Sequence, residues 1–215
     1  MKPMSRLGSI FGVLGVLAAA LTQASPAQSS SDALLQRMMA QNGHVHSYTA
    51  AVHADIAMRT FPYLSPSLDG TYYHKEPDKN KIVFTSGLPS IAKQFSKVYP
   101  QVPSPAHWKS VYVITTEGEA DGVTTFKLVP RKHGRIDHID ARVDEKTADV
   151  VGLRWNYIDG GYANLDQSYT TVDGAQVVSE QSGHFEVPNY TADLKSTFTN
   201  FKINADIPDS VFTQD

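Results

Sequence analysis

Asp-Gly steps at Asp69-Gly70, Asp121-Gly122, Asp159-Gly160-Gly161 and Asp173-Gly174 punctuate a chain whose apolar residues alternate with polar ones. Glycine supplies the positive φ that tight hairpins need. Val52, Ala54, Ile56 and Met58 alternate with His53, Asp55, Ala57 and Arg59, the signature of a half-buried strand starting near Tyr48. Similar runs follow at 69–75, 80–86, 109–117, 123–130, 134–143, 149–158, 162–172, 175–186 and 190–203. About ten short strands joined by short hairpins predict one curved antiparallel sheet, not alternating β-α units. The simplest topology is a meander.

Two stretches depart from this rhythm. Ala33-Leu34-Leu35-Gln36-Arg37-Met38-Met39 carries apolar residues at helical spacing, with Ser31 or Asp32 as its cap and Asn42-Gly43 as its stop. It reads as one amphipathic helix, 32–42, with an apolar face of Leu34, Leu35, Met38 and Met39. Between Leu88 and Trp108, Pro89-Ser90-Ile91-Ala92-Lys93-Gln94-Phe95 forms a candidate short helix, and Pro100, Pro103 and Pro105 then impose an extended loop. A long loop of this kind inside a compact domain is usually functional, here a candidate lid.

The N-terminus has the order of a secretory signal: Lys2 and Arg6, an apolar run from Leu7 to Leu21, then small residues at Thr22, Ala24, Ser25 and Ala27. Residues 1–27 read as a signal peptide cleaved after Ala24 or Ala27, the run being short for a bilayer span. Residues 28–215 then form a single domain in the periplasm, or outside the cell where there is no outer membrane. Cleavage removes Lys2 and Arg6 and no acid, moving the formal charge from −3 to −5. That balance argues against nucleic acid and anionic membrane surfaces as partners. The chain has no cysteine, which excludes disulfides, a lipid-modified N-terminal cysteine and thiol catalysis.

Motifs for catalysis and cofactors are missing: there is no Gly-rich phosphate loop, nucleophile elbow or His-Glu-x-x-His. The chain reads as a binding protein with no catalytic residue and no cofactor. His44, His46 and His53 complete none of the familiar zinc spacings, so no metal site is assigned. His138, Asp140 and Arg142 share one strand face, opposite Ile139, Ala141 and Val143, which is the pattern of a solvated face over a core. Aromatic and apolar residues nevertheless occupy both registers of several strands, as at Tyr72-Tyr73 and Val150-Val151, with Leu153, Trp155 and Tyr157 in phase. One helix and a short lid cannot hide two apolar faces. The surplus lines a concave cavity, or else forms a packed core or a dimer face.

The stretch Gly70-Thr71-Tyr72-Tyr73-His74-Lys75-Glu76-Pro77-Asp78-Lys79-Asn80-Lys81-Ile82-Val83-Phe84 resembles the early hairpin of the periplasmic lipoprotein-carrier (LolA-like) family. Ile136 to Asp144, Leu153-Arg154-Trp155 and the closing Phe201 to Phe212 are similar to later parts of the same superfamily of lipoprotein localization factors. The resemblance implies an open antiparallel half-barrel, with the N-terminal helix and a short helix and loop as a lid over an apolar cavity. It also implies a ligand of lipoprotein acyl chains or another lipid, and membrane-bound donor and acceptor proteins around a monomer. Together with the alternation, it selects Val52, Ile56, Met58, Tyr72, Phe84, Trp155 and Tyr157 as cavity residues and Leu35, Met39 and Phe95 as lid residues. Where carriers have an arginine before the hairpin proline, linking sheet to lid, this chain has Glu76, with Lys75 one residue earlier. An envelope sensor or interaction module of the same fold, and an exported hydrolase using His138 or His53, are the rival readings.

Overall fold

The computed structural model describes residues 26–60, 63–86, 102–188 and 190–213. Most of the expected signal peptide, the expected helix at 89–95 and Phe95 lie outside the described residues. Ten strands make one antiparallel sheet: β1 (Ser47–Met58), β2 (Ser67–Lys75), β3 (Lys79–Phe84), β4 (Tyr112–Ala120), β5 (Val123–Pro130), β6 (Ile136–Asp144), β7 (Val150–Tyr157), β8 (Tyr162–Val172), β9 (Ala175–Val187) and β10 (Tyr190–Ile203). The spatial order is β3-β2-β1-β10-β9-β8-β7-β6-β5-β4. This is not the single meander that short hairpins suggest. Two meanders, β1–β3 and β4–β10, are fused where β1 pairs with β10, Val52 facing Phe198 and Ile56 facing Leu194. The sheet stays open, with β3 and β4 as its edges.

Turn chemistry sets the β4–β5 and β8–β9 hairpins. Asp121 and Gly122 both take positive φ (54° and 75°), as do Asp173 and Gly174 (50° and 80°), which is the two-residue turn matched to the twist of flanking strands. Asp69-Gly70 is different. It lies inside β2, where a Cβ on Gly70 would come within 2.6 Å of the Val83 carbonyl oxygen and 3.1 Å of the Phe84 ring. Here glycine permits close approach of β3, not a turn.

Alternation decides which side is buried. Ile139, Ala141 and Val143 of β6 are fully buried, as are Phe126 and Leu128 of β5 and Trp155 of β7, all on the concave face. Helix α1 (Pro26–Ala40) lays Leu34, Leu35 and Met38 into that face, with Met39 partly buried beside them. It extends past the expected N-terminal boundary, so Ser31 and Asp32 are interior residues and not caps. Ser30 and Ser31 instead donate to Glu119 Oε1 on β4, at 3.1 and 3.0 Å. The C-terminal end closes as expected at Asn42, whose φ is 58° and whose amide exchanges two hydrogen bonds with the Gln176 backbone (2.7 and 2.9 Å). Beside it the buried Asp149 carboxylate accepts from Gln41 Nε2 at 2.6 Å.

The far part of the Pro-rich stretch runs from Val102 through a 3₁₀ turn (Pro105–His107) into α2 (Trp108–Val111), so the expected strand at 109–117 begins late, at Tyr112. Trp108 is 1% exposed and its Nε1–H donates to the Pro103 carbonyl at 2.9 Å, pinning this segment against α1 and the sheet. A final turn, α3 (Ser210–Thr213), follows β10.

Candidate functional site

Helix α1 fills the concave face over β5–β7 and leaves a half-open cavity of about 330 Å³ beside it. Its walls come from β1–β3, from β7–β10 and from the Val102–Trp108 segment. Val150, Leu153, Trp155 and Leu165 form one apolar wall, with Val178 and Phe198 beyond them. The size lies at the low end of the roughly 300–1,000 Å³ typical of small-molecule sites, enough for one lipid chain or a compact amphiphile.

Two polar strips interrupt this apolar lining. On the β2–β3 wall, Tyr72 Oη donates to Asn80 Oδ1 at 2.6 Å, and His74 Nδ1 lies 2.8 Å from the same oxygen. Tyr48 stacks obliquely on both, with ring centroids 5.6 Å from Tyr72 and 4.9 Å from His74. On the β8–β9 wall, Gln181 Nε2 donates to Gln167 Oε1 (2.8 Å), and Gln167 Nε2 and Tyr169 Oη both donate to the Val150 carbonyl (2.8 and 3.0 Å). Burial pushes the Tyr48 and Tyr169 phenols up. The strips follow from strand phase: Gln167 and Tyr169 share the register of the buried Leu165, and Asn80 faces His74 across the β2–β3 ladder.

Of the residues singled out in the sequence, Tyr72 and Trp155 line this cavity. Val52, Ile56 and Met58 share the concave register of β1 with Tyr48 but lie farther along the strand, Val52 packing with Ala50 and Phe198. Phe84 sits against Gly70 at the end of β3. Tyr157 belongs to the packed core, where burial raises its phenol to about 12 and Arg135 stands 5.3 Å over the ring. Leu35 and Met39 pack into the same core from α1. The alternation therefore identifies the face, but not where along it the core ends and the cavity begins.

The sheet is linked to the Val102–Trp108 segment by Asp78, in the β2–β3 turn. Its Oδ1 accepts from the Ser104 backbone N–H at 3.1 Å, and its Oδ2 lies 2.9 Å from His107 Nδ1. Lys75 reaches elsewhere, donating to the Ile207 carbonyl (2.9 Å) and to Asp209 (2.8 Å), which Lys79 also binds (3.1 Å). These two cations hold the Asp209 carboxyl below its usual range. Glu76 is 3.7 Å from His74 Nε2.

The remaining polar clusters sit on the convex face. His138 Nδ1 contacts Asp137 at 2.6 Å, while Asn156 bridges His138 and Asp140 at 3.0 Å each. Arg142 pairs with Asp166. His53 is bonded to Asp69 at 2.8 Å, which raises its pKa. Among the described residues no three His, Asp or Glu side chains are grouped to hold a metal ion, and no helix is long and apolar enough to cross a membrane.

Several solved structures share this architecture at low identity. A DUF1329 family protein from Desulfovibrio piger aligns with a TM-score of 0.64 and 13% identity, over 88% of this chain and 98% of that one. A LolA superfamily protein from Nitrosomonas europaea aligns at 0.60 and 10%, over 85% and 97%. A structure described as an outer membrane lipoprotein-sorting protein domain, from Vibrio parahaemolyticus, aligns at 0.60 and 9%, over 86% and 94%. The fold is LolA-like. No family model and no curated protein matches the sequence.

Proposed function

We propose that the chain is an exported, monomeric carrier that holds a lipophilic ligand in the half-barrel and performs no catalysis. The observation that carries this reading is the cavity left beside α1, apolar along Val150, Leu153, Trp155 and Leu165 and about 330 Å³ in volume. Each methylene buried there contributes about 0.8 kcal/mol, so one acyl chain supplies useful affinity. The β2–β3 strip suits a ligand with a hydrogen-bonding head, such as an acylated protein terminus or another lipid. A fold neighbour bearing a lipoprotein-sorting description supports the class of cargo. Residues 1–27 act as the export signal, and membrane-bound donor and acceptor proteins load and unload the carrier.

The test is native mass spectrometry on protein recovered from its own cells, with displacement of an apolar fluorescent probe. Co-purifying lipid or lipopeptide and a displaceable probe are expected. Reproducible absence of both rules the carrier reading out.

A carrier must also release. Asp78 takes the place of the missing arginine as the link between sheet and lid segment, from a different position in the hairpin. Half-exposed charged hydrogen bonds of this kind are worth about 1 kcal/mol. Asp78→Ala is accordingly expected to speed probe release about fivefold to tenfold in stopped flow, with a melting temperature lowered by no more than about 2–4 °C. An unaltered off-rate shows that the link does not govern release.

A further inference from the structure

One corner of the open sheet combines exposed apolar side chains with exposed cations. Among the described residues, eight large apolar side chains are exposed, and four of them, Val111, Val113, Val129 and Ile158, belong to this corner with exposures from 38% to 68%. Val113 and Val129 stand directly opposite each other across the β4–β5 ladder, and the Arg131 N–H donates to the Val111 carbonyl at 2.9 Å. Ile158 is joined to the β5–β6 loop by its N–H to the Arg135 carbonyl at 3.0 Å. That loop reads Arg131-Lys132-His133-Gly134-Arg135, all exposed. Lys109 flanks it from α2, its carbonyl accepting from Arg131 Nε at 3.2 Å.

Segments 109–113, 129–135 and 157–161 thus carry Lys109, Arg131, Lys132 and Arg135 against a single acid, Asp159, in a chain whose acids outnumber its lysines and arginines by 22 to 19. Asp159 binds Arg135 at 2.9 Å, leaving Lys109, Arg131 and Lys132 as the cations facing outward beside the valines. Net charge averages this asymmetry away. An acidic protein with one basic corner is repelled from an anionic surface in most orientations and drawn to it in one.

We infer that this corner docks the protein on an anionic bilayer, with Val111, Val113, Val129 and Ile158 resting at the headgroup level and Lys109, Arg131 and Lys132 against lipid phosphates. Exposed apolar side chains beside cations are the combination that interfacial binding uses, since buried apolar area and electrostatic attraction add. A nucleic-acid site has use for the cations but not for solvent-facing valines. The corner begins two residues after His107, which Asp78 binds at 2.9 Å, so docking there brings the Asp78 link close to the lipid surface.

The experiment is co-sedimentation of the protein, as recovered from its cells, with vesicles of phosphatidylcholine plus phosphatidylglycerol and of phosphatidylcholine alone. Binding to the anionic vesicles is expected, weakening with salt. Each cation contributes about fivefold, so K109Q/R131Q/K132Q lowers partitioning about a hundredfold. V113S/V129S/I158S removes the portion that survives high salt. K146Q/K195Q/K202Q, three exposed cations elsewhere, stays within about twofold of the parent, with strand circular dichroism confirming folding throughout. The inference is overturned if the corner triple binds like the parent, if the distant triple loses as much, or if duplex DNA is bound while vesicles are ignored.

Discussion

Trp108→Ala is expected to lower the unfolding free energy by about 3–5 kcal/mol, the range for deleting a buried indole. The side chain is 1% exposed and belongs to the same core cluster as Leu34, Leu35 and Met38 of α1 and Phe126, Leu128 and Ile139 of the sheet. It also fixes the segment it starts from, because its Nε1–H reaches back to the Pro103 carbonyl. Loss of the indole therefore opens a void and frees the cavity wall at Val102–Pro105 together. Urea unfolding followed by strand circular dichroism reads the effect as a fall in midpoint at constant slope. Trp108→Phe keeps most of the packing and should cost less than Trp108→Ala, about 1 kcal/mol of its loss coming from the hydrogen bond. Val111→Ala, on the exposed side of α2, should lie within about 0.5 kcal/mol of the parent. A Trp108→Ala cost below about 1.5 kcal/mol is incompatible with the indole being the joint between helix, Val102–Pro105 segment and sheet.

That joint shows which parts of the molecule are written locally in the sequence. Strands are legible because the buried partner recurs every second residue, and Ile139, Ala141 and Val143 are as buried as their alternation demands. Hairpins at Asp121-Gly122 and Asp173-Gly174 are legible because both turn positions need positive φ. Asp69-Gly70 carries the same two letters for another reason, the approach of the β3 backbone, and no local pattern separates the two uses. The pairing of β1 with β10 links residues more than a hundred positions apart, so nothing near either strand announces it. The start of α1 was obscured by its serines, which resemble caps until Glu119 is known to lie beside them.

The candidate site was legible in part for the same physical reason. Tyr72 and Trp155 are in phase with neighbouring apolar residues, which places them on the concave face. Gln167, Tyr169 and Gln181 were missed because polar side chains in a strand are read as facing water. Their phase relative to Leu165 carried the opposite signal. Where the inward register turns polar, a domain either pairs those groups internally or offers them to a ligand, and here the two glutamines and Tyr169 do the first along one wall of the cavity. Asp78 was missed because a turn acid is a common hairpin former, and its partners at Ser104 and His107 come from a distant segment.

Filling the cavity should abolish uptake without unfolding the protein. Val178→Trp is the direct test, because Val178 lines the cavity and borders the small cluster of Ala50, Val52 and Phe198 without being fully buried. An indole there displaces about four methylenes of guest, about 3 kcal/mol at 0.8 each. Affinity for an apolar probe is expected to fall roughly two decades. Overpacking a closed core costs about 1–3 kcal/mol, but the new ring turns into open volume, so the loss of stability should stay near or below the bottom of that range. Val83→Trp, at an exposed position beside the cavity-lining Ile82, adds the same ring on the other register of β3 and should leave affinity unchanged. Isothermal titration of all three proteins with one probe separates the outcomes. Equal binding by Val178→Trp and the parent places the ligand elsewhere, whereas equal loss in both variants assigns the effect to a general disturbance of the sheet. Selective loss at Val178 alone ties the ligand to the concave wall opposite Asn80 and His74, where its polar head then has the β2–β3 strip to meet.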